Sequence, residues 1–544
     1  MKIGIVGAVC AGMLGAAGYG AYNVYTSLGD MTGSGHGRAA GTAGATARAV
    51  AEPLSARQIA DSANAFLAAW SAGDLAEAAA LTDSAQDAAT GLTDFGSQGH
   101  ISSVKLTGIK PGSGGASFTV AAHVDYRGRT STWTYPSALT VRRGADGKPA
   151  VAWAPSVLHP GLVAGDSIVT RAAQSPGIDV TDRHGTVLTG SRFPSLTRII
   201  ADIADQHGDQ VSGGTTGIGT YVVHSDGSTG ALLHTVLKGR NKKLPTTLDA
   251  RLQAAAEKAV AGHDRASATA LDIRDGSILA VANTPPEGED VALQGIDAPG
   301  STFKIVTAAA LIQHSGMEPG SPAPCRATDN VPEGRIYHND SAGLHNENAD
   351  LRWDFANSCN TGFIALAPHL GAAALRATAA QFGLTQPWNI GTITPNDQPG
   401  FPDGRGPDEF TSEMIGQGEV VANPLIMASI AATAATGRFS QPRIVAGDLI
   451  DGVVDARGVG PHVSADLREL MRAAVTSGTA SGVMNGFGPD SGAKTGSAEV
   501  DGQAATNGWF TAFAGNVSAA AIVRDAGHGN TSAGPIVAQI LAGR

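Results

Sequence analysis

Residues 299–312 read PGSTFKIVTAAALI, a turn pair followed by a run that is apolar on nearly every side. Such a start predicts the N-terminus of a buried helix. Residues at positions i and i+3 are neighbours on a helix surface, so Lys304 can reach the hydroxyl of Ser301. Burial disfavours an ammonium, and a partly neutral Lys304 can accept the serine proton. The stretch therefore predicts Ser301 as a nucleophile and Lys304 as its base.

A second polar segment, Ser358-Cys359-Asn360, interrupts the apolar stretch DFANSCNTGFIALA at 354–367. Its apolar flanks predict a helix–loop–helix whose turn directs Ser358 and Asn360 into a cleft. There the Ser358 hydroxyl can pass a proton towards a leaving amine, and Asn360 can donate to a substrate carbonyl. Cys359 is expected to point away into packing. The alternative is a polar loop that only caps a helix.

The third segment, Lys494-Thr495-Gly496, follows a small-residue pair and is expected to begin a strand. Lys494 supplies positive charge and Thr495 a hydroxyl for the terminal carboxylate of a peptide, while Gly496 lets a ligand backbone come close. The N–H groups of Ser301 and Ser497 are the expected oxyanion hole. A surface lysine at the end of a strand is the alternative interpretation.

Neither serine spacing is specific by itself. Residues 102–105 (SSVK) repeat the Ser-x-x-Lys spacing in a predicted strand, where the two side chains cannot meet as helix neighbours. Residues 62–64 (SAN) repeat the Ser-x-Asn spacing inside a predicted helix. The simpler interpretation of Ser301 is a helix-capping serine beside a lysine that extends to solvent. The order of the three segments along one chain favours the catalytic interpretation.

The composition is that of a folded chain with several domains. At 544 residues the chain is too long for one core, and its 42% hydrophobic and 16% charged residues exclude a disordered protein. The formal net charge of −11, with no long basic block, argues against a nucleic-acid partner. The 15 histidines form no His-Glu-x-x-His pair, and no phosphate-binding Gly-x-x-x-x-Gly-Lys-Ser/Thr loop occurs. We expect neither a metal nor a cofactor.

Residues 1–26 are expected to form a single transmembrane anchor, because residues 3–22 carry no charge and a bilayer core requires about 20 apolar residues. A cleaved signal peptide is the alternative, although no clean Ala-x-Ala site follows. Residues 27–50 are rich in Gly, Ala and Thr and predict a flexible tether. In either case the rest of the chain is exported, which predicts a catalytic domain on the extracytoplasmic side of the cell membrane.

Residues 51–162 and 163–245 are predicted to form two small units after the tether. The first begins with a helix, followed by a second short helix after Gly73-Asp74, and continues with alternating strand patterns, which is typical of a small α+β unit. The second is a short linker with one helical stretch, from Ser195 to His207. The apolar positions of the first helix recur at intervals of three and four and are Ile59, Ala63, Phe66, Leu67 and Trp70.

Residues 246–544 are predicted to form one larger unit. A hairpin is expected at 266–283, and two further strands at 507–524 precede a closing helix. Early and late strands around a helical middle predict one antiparallel sheet covered by helices, so that the whole chain is a multidomain α+β protein. Cys325 and Cys359 lie in this unit, and one disulfide or two free thiols are both compatible with their spacing.

The catalytic segments resemble the transpeptidase domain of class B penicillin-binding proteins, and the resemblance extends to IGQGEVVANPLIMA at 415–428 and NGWFTAFA at 507–514. It covers the chain from Thr246 onward. It implies that Ser301 is the penicillin-reactive nucleophile, that D-Ala-D-Ala stem peptides of peptidoglycan are donors, and that peptidoglycan amines are acceptors. Cys359 stands where an Asp is found in related enzymes, although this middle position varies in the family.

Residues 65–83 and 151–162 resemble the nuclear-transport-factor-like (NTF2-like) N-terminal domain of low-affinity penicillin-binding proteins of the methicillin-resistance type. Residues 163–245 resemble the linker or dimer domain that precedes the transpeptidase in class B enzymes. The resemblance implies that the N-terminal domain is a spacer. It also raises the hypothesis that the enzyme reacts slowly with β-lactams.

We therefore expect a membrane-anchored peptidoglycan D,D-transpeptidase that binds β-lactams covalently and works with a separate glycan polymerase. A D,D-carboxypeptidase or β-lactamase-like hydrolase is an alternative that differs in what deacylates Ser301. A non-turnover β-lactam sensor or cell-wall scaffold is the alternative of another class. A sensor requires a cytoplasmic output module, and Met1-Lys2 is expected to leave no room for one.

Overall fold

The computed structural model describes residues 52–173, 175–330, 336–341, 343–392, 401 and 407–544. The predicted anchor and tether lie outside the described residues. Within the described ranges, no single helix is long and apolar enough to cross a membrane. One bent pair, Asn360–Leu370 with Ala372–Gln381, passes that test by length and composition only, with 103° between its members.

Three helices cover one face of a four-stranded antiparallel sheet in the N-terminal unit. All five residues of the predicted apolar stripe are buried, and a capping box at Ser55 and Gln58 fixes the start of the first helix. The α+β prediction is confirmed, but the third helix was not predicted. The elements are α1 (Ala56–Ala72), α2 (Leu75–Ala80), α3 (Ala85–Ser97), β1 (Ile101–Pro111), β2 (Gly115–Tyr126), β3 (Arg129–Arg143) and β4 (Pro149–Val151).

The linker unit contains a three-stranded sheet in the order β5-β7-β8 and a parallel pair, β6 with β9. Its helix begins within two residues of the predicted helical stretch and ends with it. The elements are β5 (Ser167–Ala172), β6 (Ile178–Thr181), α4 (Thr197–His207), β7 (Ile218–Val223), β8 (Thr229–Leu237) and β9 (Lys242–Pro245).

The C-terminal unit is built on a five-stranded antiparallel sheet, as its early and late strand patterns predicted. The elements before the helical middle are α5 (Ala250–Val260), β10 (Ala266–Asp272), β11 (Ile278–Asn283), α6 (Val291–Gln294), α7 (Lys304–Ser315), β12 (Thr328–Asn330) and β13 (Ile336–His338). The helices that follow are α8 (Leu351–Asn357), α9 (Asn360–Ala365), α10 (Ala367–Leu370), α11 (Ala372–Gln381), α12 (Pro407–Glu413), α13 (Pro424–Thr436), α14 (Gly460–Thr476) and α15 (Ser481–Met484). The chain closes with β14 (Ser491–Ala498), β15 (Asn507–Ala514), β16 (Val517–Val523) and α16 (Ala533–Ala542).

Strand order β11-β10-β16-β15-β14 places the strand of the third segment, β14, at one edge of this sheet. Small alanines on one face of the strands pack against α5 and α16. The other face packs against the helical middle, including α7 and α13. Thr511 and Ser518 each donate a side-chain hydrogen bond to a backbone carbonyl of α13 at 2.9 Å. The sheet is therefore covered on both faces, and its β14 edge lies beside the start of α7.

Trp70→Ala is expected to lower the free energy of unfolding of the N-terminal unit by about 3–5 kcal/mol. The indole is 3% exposed and packs edge-on against Phe95 and Phe118, so its loss leaves a cavity between helix and sheet. Calorimetry of the full chain measures the effect, with Asn64→Ala on the exposed face of α1 as the control. A change below about 1 kcal/mol for Trp70→Ala would contradict this packing.

Candidate active site

Ser301 lies on a single turn of 3₁₀ helix, Gly300–Phe303, that continues into α7. Gly300 has a φ of +53°, and a Cβ added there would lie 2.5 Å from the carbonyl oxygen of Ser497. Glycine is required at this position because the turn and strand β14 touch through their backbones. The close approach brings Ser301 next to Ser497, although the two segments are far apart in the sequence.

The Lys304 ammonium group is completely buried and donates three hydrogen bonds to one short turn. Its Nζ lies 3.0 Å from the Ser358 carbonyl, 3.1 Å from the Cys359 carbonyl and 2.7 Å from Asn360 Oδ1. The Ser301 hydroxyl contacts the same Asn360 oxygen at 3.5 Å. Among the contacts of the described residues, Ser301 and Lys304 are thus joined through Asn360, and the direct bond expected from the helix spacing is not formed.

Burial lowers the pKa of Lys304 to about 7, and the negative charges of Asp354 and Asp340 oppose that shift. Three acceptors match the three N–H groups of the charged amine. A neutral amine has two N–H groups and a lone pair, so loss of the proton releases one of these three bonds. The released lone pair is then available to the Ser301 hydroxyl, which already contacts the shared oxygen.

Ser358 and Lys494 form a second contact between the helical side and the sheet side. Lys494 Nζ donates to Ser358 Oγ at 2.8 Å and to the Thr495 carbonyl at 2.9 Å. Burial first, and the positive charge of Lys304 second, hold the pKa of Lys494 well below its usual value. The sequence predicted Lys494 as the source of positive charge for a substrate carboxylate, and this role stays a prediction. In the structure its side chain is fully buried.

The turn at 358–360 is held in a backbone conformation that serine rarely adopts. Ser358 has a φ of +62° and ends α8, and Cys359 begins α9. Such left-handed residues are strained and occur at functional sites. Asn339 stabilises the turn, because its Oδ1 accepts hydrogen bonds from the N–H groups of Asn360 at 2.8 Å and Thr361 at 3.2 Å. Sequence reasoning missed Asn339, which belongs to no motif.

The cysteine alternatives are resolved by a disulfide between Cys325 and Cys359. The bond fixes the residue between Ser358 and Asn360 to the segment before β12. Cys359 does point into the interior, as predicted, but it points to a covalent partner. The departure from Asp at this position therefore leaves the orientation of Ser358 and Asn360 intact.

Asp354 is a second residue that the motif analysis missed, although it lies four residues before Ser358. Its carboxyl group is fully buried, and neither oxygen has a hydrogen-bond partner among the residues that the structure describes. Burial raises its pKa to about 8, while the nearby Lys304 charge opposes the shift. With a pKa of about 8, the Asp354 carboxyl group is mostly protonated at neutral pH, and its negative charge acts on Lys304 only at higher pH.

Thr495, Gly496 and Ser497 lie on β14 along the same cleft. The Thr495 hydroxyl bonds to the Thr479 hydroxyl at 2.7 Å, and the backbone of Gly496 lies against Pro299 and Thr302. Ser497 Oγ lies 3.4 Å from His528 Nδ1. The structure thus brings together all of the site residues that the sequence predicted. The oxyanion hole of the Ser301 and Ser497 N–H groups stays a prediction.

Comparisons with known proteins identify the family of the chain. Residues 266–542 match the family model described as the penicillin-binding protein transpeptidase domain, and residues 58–166 match the NTF2-like N-terminal transpeptidase domain. Because the first match covers half of the chain, the chain belongs to the penicillin-binding protein transpeptidase family. The NTF2-like prediction for the N-terminal unit is confirmed.

Two relatives are both named peptidoglycan D,D-transpeptidase PbpA. The protein from Mycobacterium tuberculosis is 30% identical over 333 residues, which are 51% of this chain and 65% of that protein. The protein from Mycolicibacterium smegmatis is 28% identical over 349 residues, which are 53% of this chain and 68% of that protein. The chain thus matches less than two thirds of the length of the first relative.

Solved structures share the fold. The crystal structure of PBPA from Mycobacterium tuberculosis superposes with a TM-score of 0.50 at 26% identity, covering 56% of this chain and 82% of that chain. The D,D-transpeptidase domain of a peptidoglycan glycosyltransferase from Eggerthella lenta gives a TM-score of 0.53 at 20% identity, covering 68% and 98%. The second likeness concerns the fold alone.

Acylation of Ser301 by a β-lactam probe is expected to accelerate as the pH rises through about 7. The pKa of Lys304 is lowered to about 7, so its neutral, proton-accepting form becomes the major one above that pH. Rapid mixing with a fluorescent penicillin between about pH 5 and about pH 9 measures the profile.

Lys304→Arg is the matched variant for that profile, since a guanidinium keeps its charge over the same range. Its rate is expected to fall by about 10²–10⁴-fold and to lose the rise with pH. A wild-type rate that does not change with pH would contradict the assignment of Lys304 as the base.

Proposed function

We propose that this protein is a peptidoglycan D,D-transpeptidase that cross-links stem peptides through an acyl-serine intermediate and that β-lactams acylate the same serine. The observation that carries the proposal is the convergence of Ser301, Lys304 and Lys494 on the turn at 358–360. A nucleophile, a buried amine of lowered pKa and a second amine that bonds to a serine hydroxyl are the groups that serine acyl transfer requires. Family membership supports the proposal independently.

In the first step the Ser301 oxygen attacks the carbonyl carbon of the penultimate D-Ala. Lys304 in its neutral form accepts the hydroxyl proton as the new C–O bond forms. Negative charge develops on the carbonyl oxygen, which the N–H groups of Ser301 and Ser497 stabilise. The positive end of the turn that leads into α7 adds to that stabilisation.

Collapse of the tetrahedral intermediate breaks the peptide bond, and the terminal D-Ala leaves as an amine. Ser358 gives this amine a proton and receives one from Lys494, to which it is hydrogen-bonded at 2.8 Å. The charge that Lys304 has just gained lowers the pKa of Lys494. The two buried lysines thereby exchange the single positive charge between them, so uptake of a proton at one promotes its release at the other.

An amine of a neighbouring peptidoglycan strand then attacks the acyl-enzyme, and the acyl group moves from Ser301 to that amine. The amine gives up a proton through Ser358 to Lys494, and Lys304 returns its proton to the departing Ser301 oxygen. A hydrolase differs only in admitting water at this step. We propose that the chain acts at the outer face of the cell membrane, held by its N-terminal segment, beside a separate glycan polymerase. The NTF2-like unit serves as a spacer between membrane and cleft.

Ser301→Ala is expected to abolish covalent labelling by a fluorescent penicillin, because the acyl group is attached to this oxygen. Labelled protein is detected after denaturing electrophoresis of the full chain. Ser102→Ala is the matched control, since it removes the serine of the other Ser-x-x-Lys spacing, on β1 of the N-terminal unit, and should label fully. Persistent labelling of Ser301→Ala would refute the proposed nucleophile.

Incubation with a donor peptide that ends in D-Ala-D-Ala and an amine acceptor is expected to give mainly the new amide. The reason is that the proposed enzyme passes its acyl group to an amine in preference to water. Mass spectrometry separates the amide from the hydrolysed donor, and Ser301→Ala should form neither. Hydrolysed donor as the sole product would instead identify a carboxypeptidase.

A further inference from the structure

Two exposed side chains, those of His528 and Asp340, form a contact beside Ser497 of strand β14. His528 Nδ1 lies 3.1 Å from Asp340 Oδ2 and 3.4 Å from Ser497 Oγ. The His528 side chain is 60% exposed and the Asp340 side chain is 46% exposed. No part of the proposed acylation mechanism uses either residue, and neither belongs to the motifs that identified the site.

His528 is held firmly on the sheet side. Its carbonyl accepts hydrogen bonds from the Thr531 and Ser532 hydroxyls, both at 2.9 Å, at the start of α16. The next residue, Gly529, lies directly on the sheet, since an added Cβ there would be 1.9 Å from the Trp509 carbonyl and 2.5 Å from the Gly496 carbonyl. The imidazole is therefore fixed beside β14.

Asp340 is held on the helical side. The preceding residue, Asn339, accepts the Asn360 and Thr361 N–H groups and donates to the carbonyls of Arg326 at 2.8 Å and Leu344 at 2.9 Å. The Asp340 carboxylate thus projects from the wall that carries the 358–360 turn. Its charge also acts on both buried lysines, Lys304 and Lys494, by raising their pKa values.

The contact matters because Lys494 cannot serve as the exposed cation that a peptide carboxylate requires. Its amine is buried and already donates to Ser358 and Thr495. A terminal carboxylate that lies along β14 has the Thr495 and Ser497 hydroxyls as partners. Next to Ser497 it meets the Nδ1 atom of His528, which in this structure faces another carboxylate.

We propose that His528 binds the terminal carboxylate of the donor peptide together with Ser497, and that the carboxylate of Asp340 competes with it for the same nitrogen. The inference rests on the proposed function and assigns a specificity-determining residue to it. Asp340 is the internal competitor. Its carboxylate is hydrogen-bonded to Nδ1 of His528 until the carboxylate of the substrate displaces it and takes over that bond. A donor without that carboxylate gains nothing from His528.

His528 and Asp340 should have opposite effects on the binding of a carboxylate, and this difference provides the test. Benzylpenicillin carries a carboxylate that stands in for the peptide terminus, and its methyl ester lacks the charge. Acylation of the full chain by each probe gives an apparent dissociation constant and a limiting rate. For benzylpenicillin, His528→Leu is expected to weaken binding roughly three- to tenfold, the effect of one exposed hydrogen bond.

Asp340→Asn is expected to tighten benzylpenicillin binding roughly two- to fivefold, because the competing charge is removed. His528→Asn retains an N–H donor near the position of Nδ1 and should restore most of the binding lost in His528→Leu. The limiting rates of the two His528 variants should stay close to the wild-type value. The constants for the methyl ester and the thermal unfolding should stay close to wild type in all three variants. Asp340→Asn is judged by the apparent dissociation constant alone, because the Asp340 charge also raises the pKa of Lys304.

If the contact is purely structural, His528→Leu and Asp340→Asn should change benzylpenicillin binding in the same direction. That result would overturn the inference. Equal effects on benzylpenicillin and its methyl ester, or unchanged binding of both, would overturn it as well. In each of these cases a normal limiting rate leaves the proposed function standing. Failure of the proposed function is recognised separately, by labelling that survives Ser301→Ala.

Discussion

The buried amine of Lys304 and its three acceptors on the 358–360 turn form the contact on which the site depends. The contact joins the turn that carries Ser301, the proposed nucleophile, to the loop that carries Ser358 and Asn360. A buried ammonium group that has no contact with solvent needs hydrogen-bond acceptors around it. The left-handed conformation of Ser358 provides them, because it turns the carbonyls of Ser358 and Cys359 towards Lys304. The strain at Ser358 is offset by the bonds that it makes possible.

A second lysine in the same interior makes the electrostatics cooperative. Two buried ammonium groups repel each other, so the pKa of Lys494 is depressed by burial and further by the charge of Lys304. Burial raises the pKa of Asp354 to about 8, so its carboxyl group is mostly neutral near pH 7 and offsets little of this repulsion. The arrangement favours a state with one charged lysine, which suits a reaction that takes a proton from one group and gives it to another.

The cleft has two walls with separate supports. The sheet wall is fixed by strand pairing, whereas the helical wall is fixed by a disulfide at Cys359 and by the amide side chain of Asn339. In the second wall the 358–360 turn lies between two short helices, and side-chain bonds hold it in place where strand pairing holds the first wall. His528 and Asp340 are the point where the two walls meet at the surface.

Local patterns predicted a large part of the fold. The stripe of α1 is buried as its spacing predicted, and the hairpin β10–β11 follows its turn signal. Helix α3 was missed because its sequence, AQDAATGLTDFGS, is rich in small polar residues, and packing of Leu92 and Phe95 rather than propensity stabilises it.

The sequence by itself determined the chemistry: a serine and an amine at helical spacing, a Ser-x-Asn turn and a Lys-Thr-Gly strand, all of them local patterns of residue type. Only the tertiary structure decided how those groups share partners. Asn360 joins Ser301 to Lys304, Cys359 pairs with Cys325, and His528 meets a carboxylate 188 residues away. Burial and contacts between distant segments set these features, and neither leaves a periodic trace in the sequence.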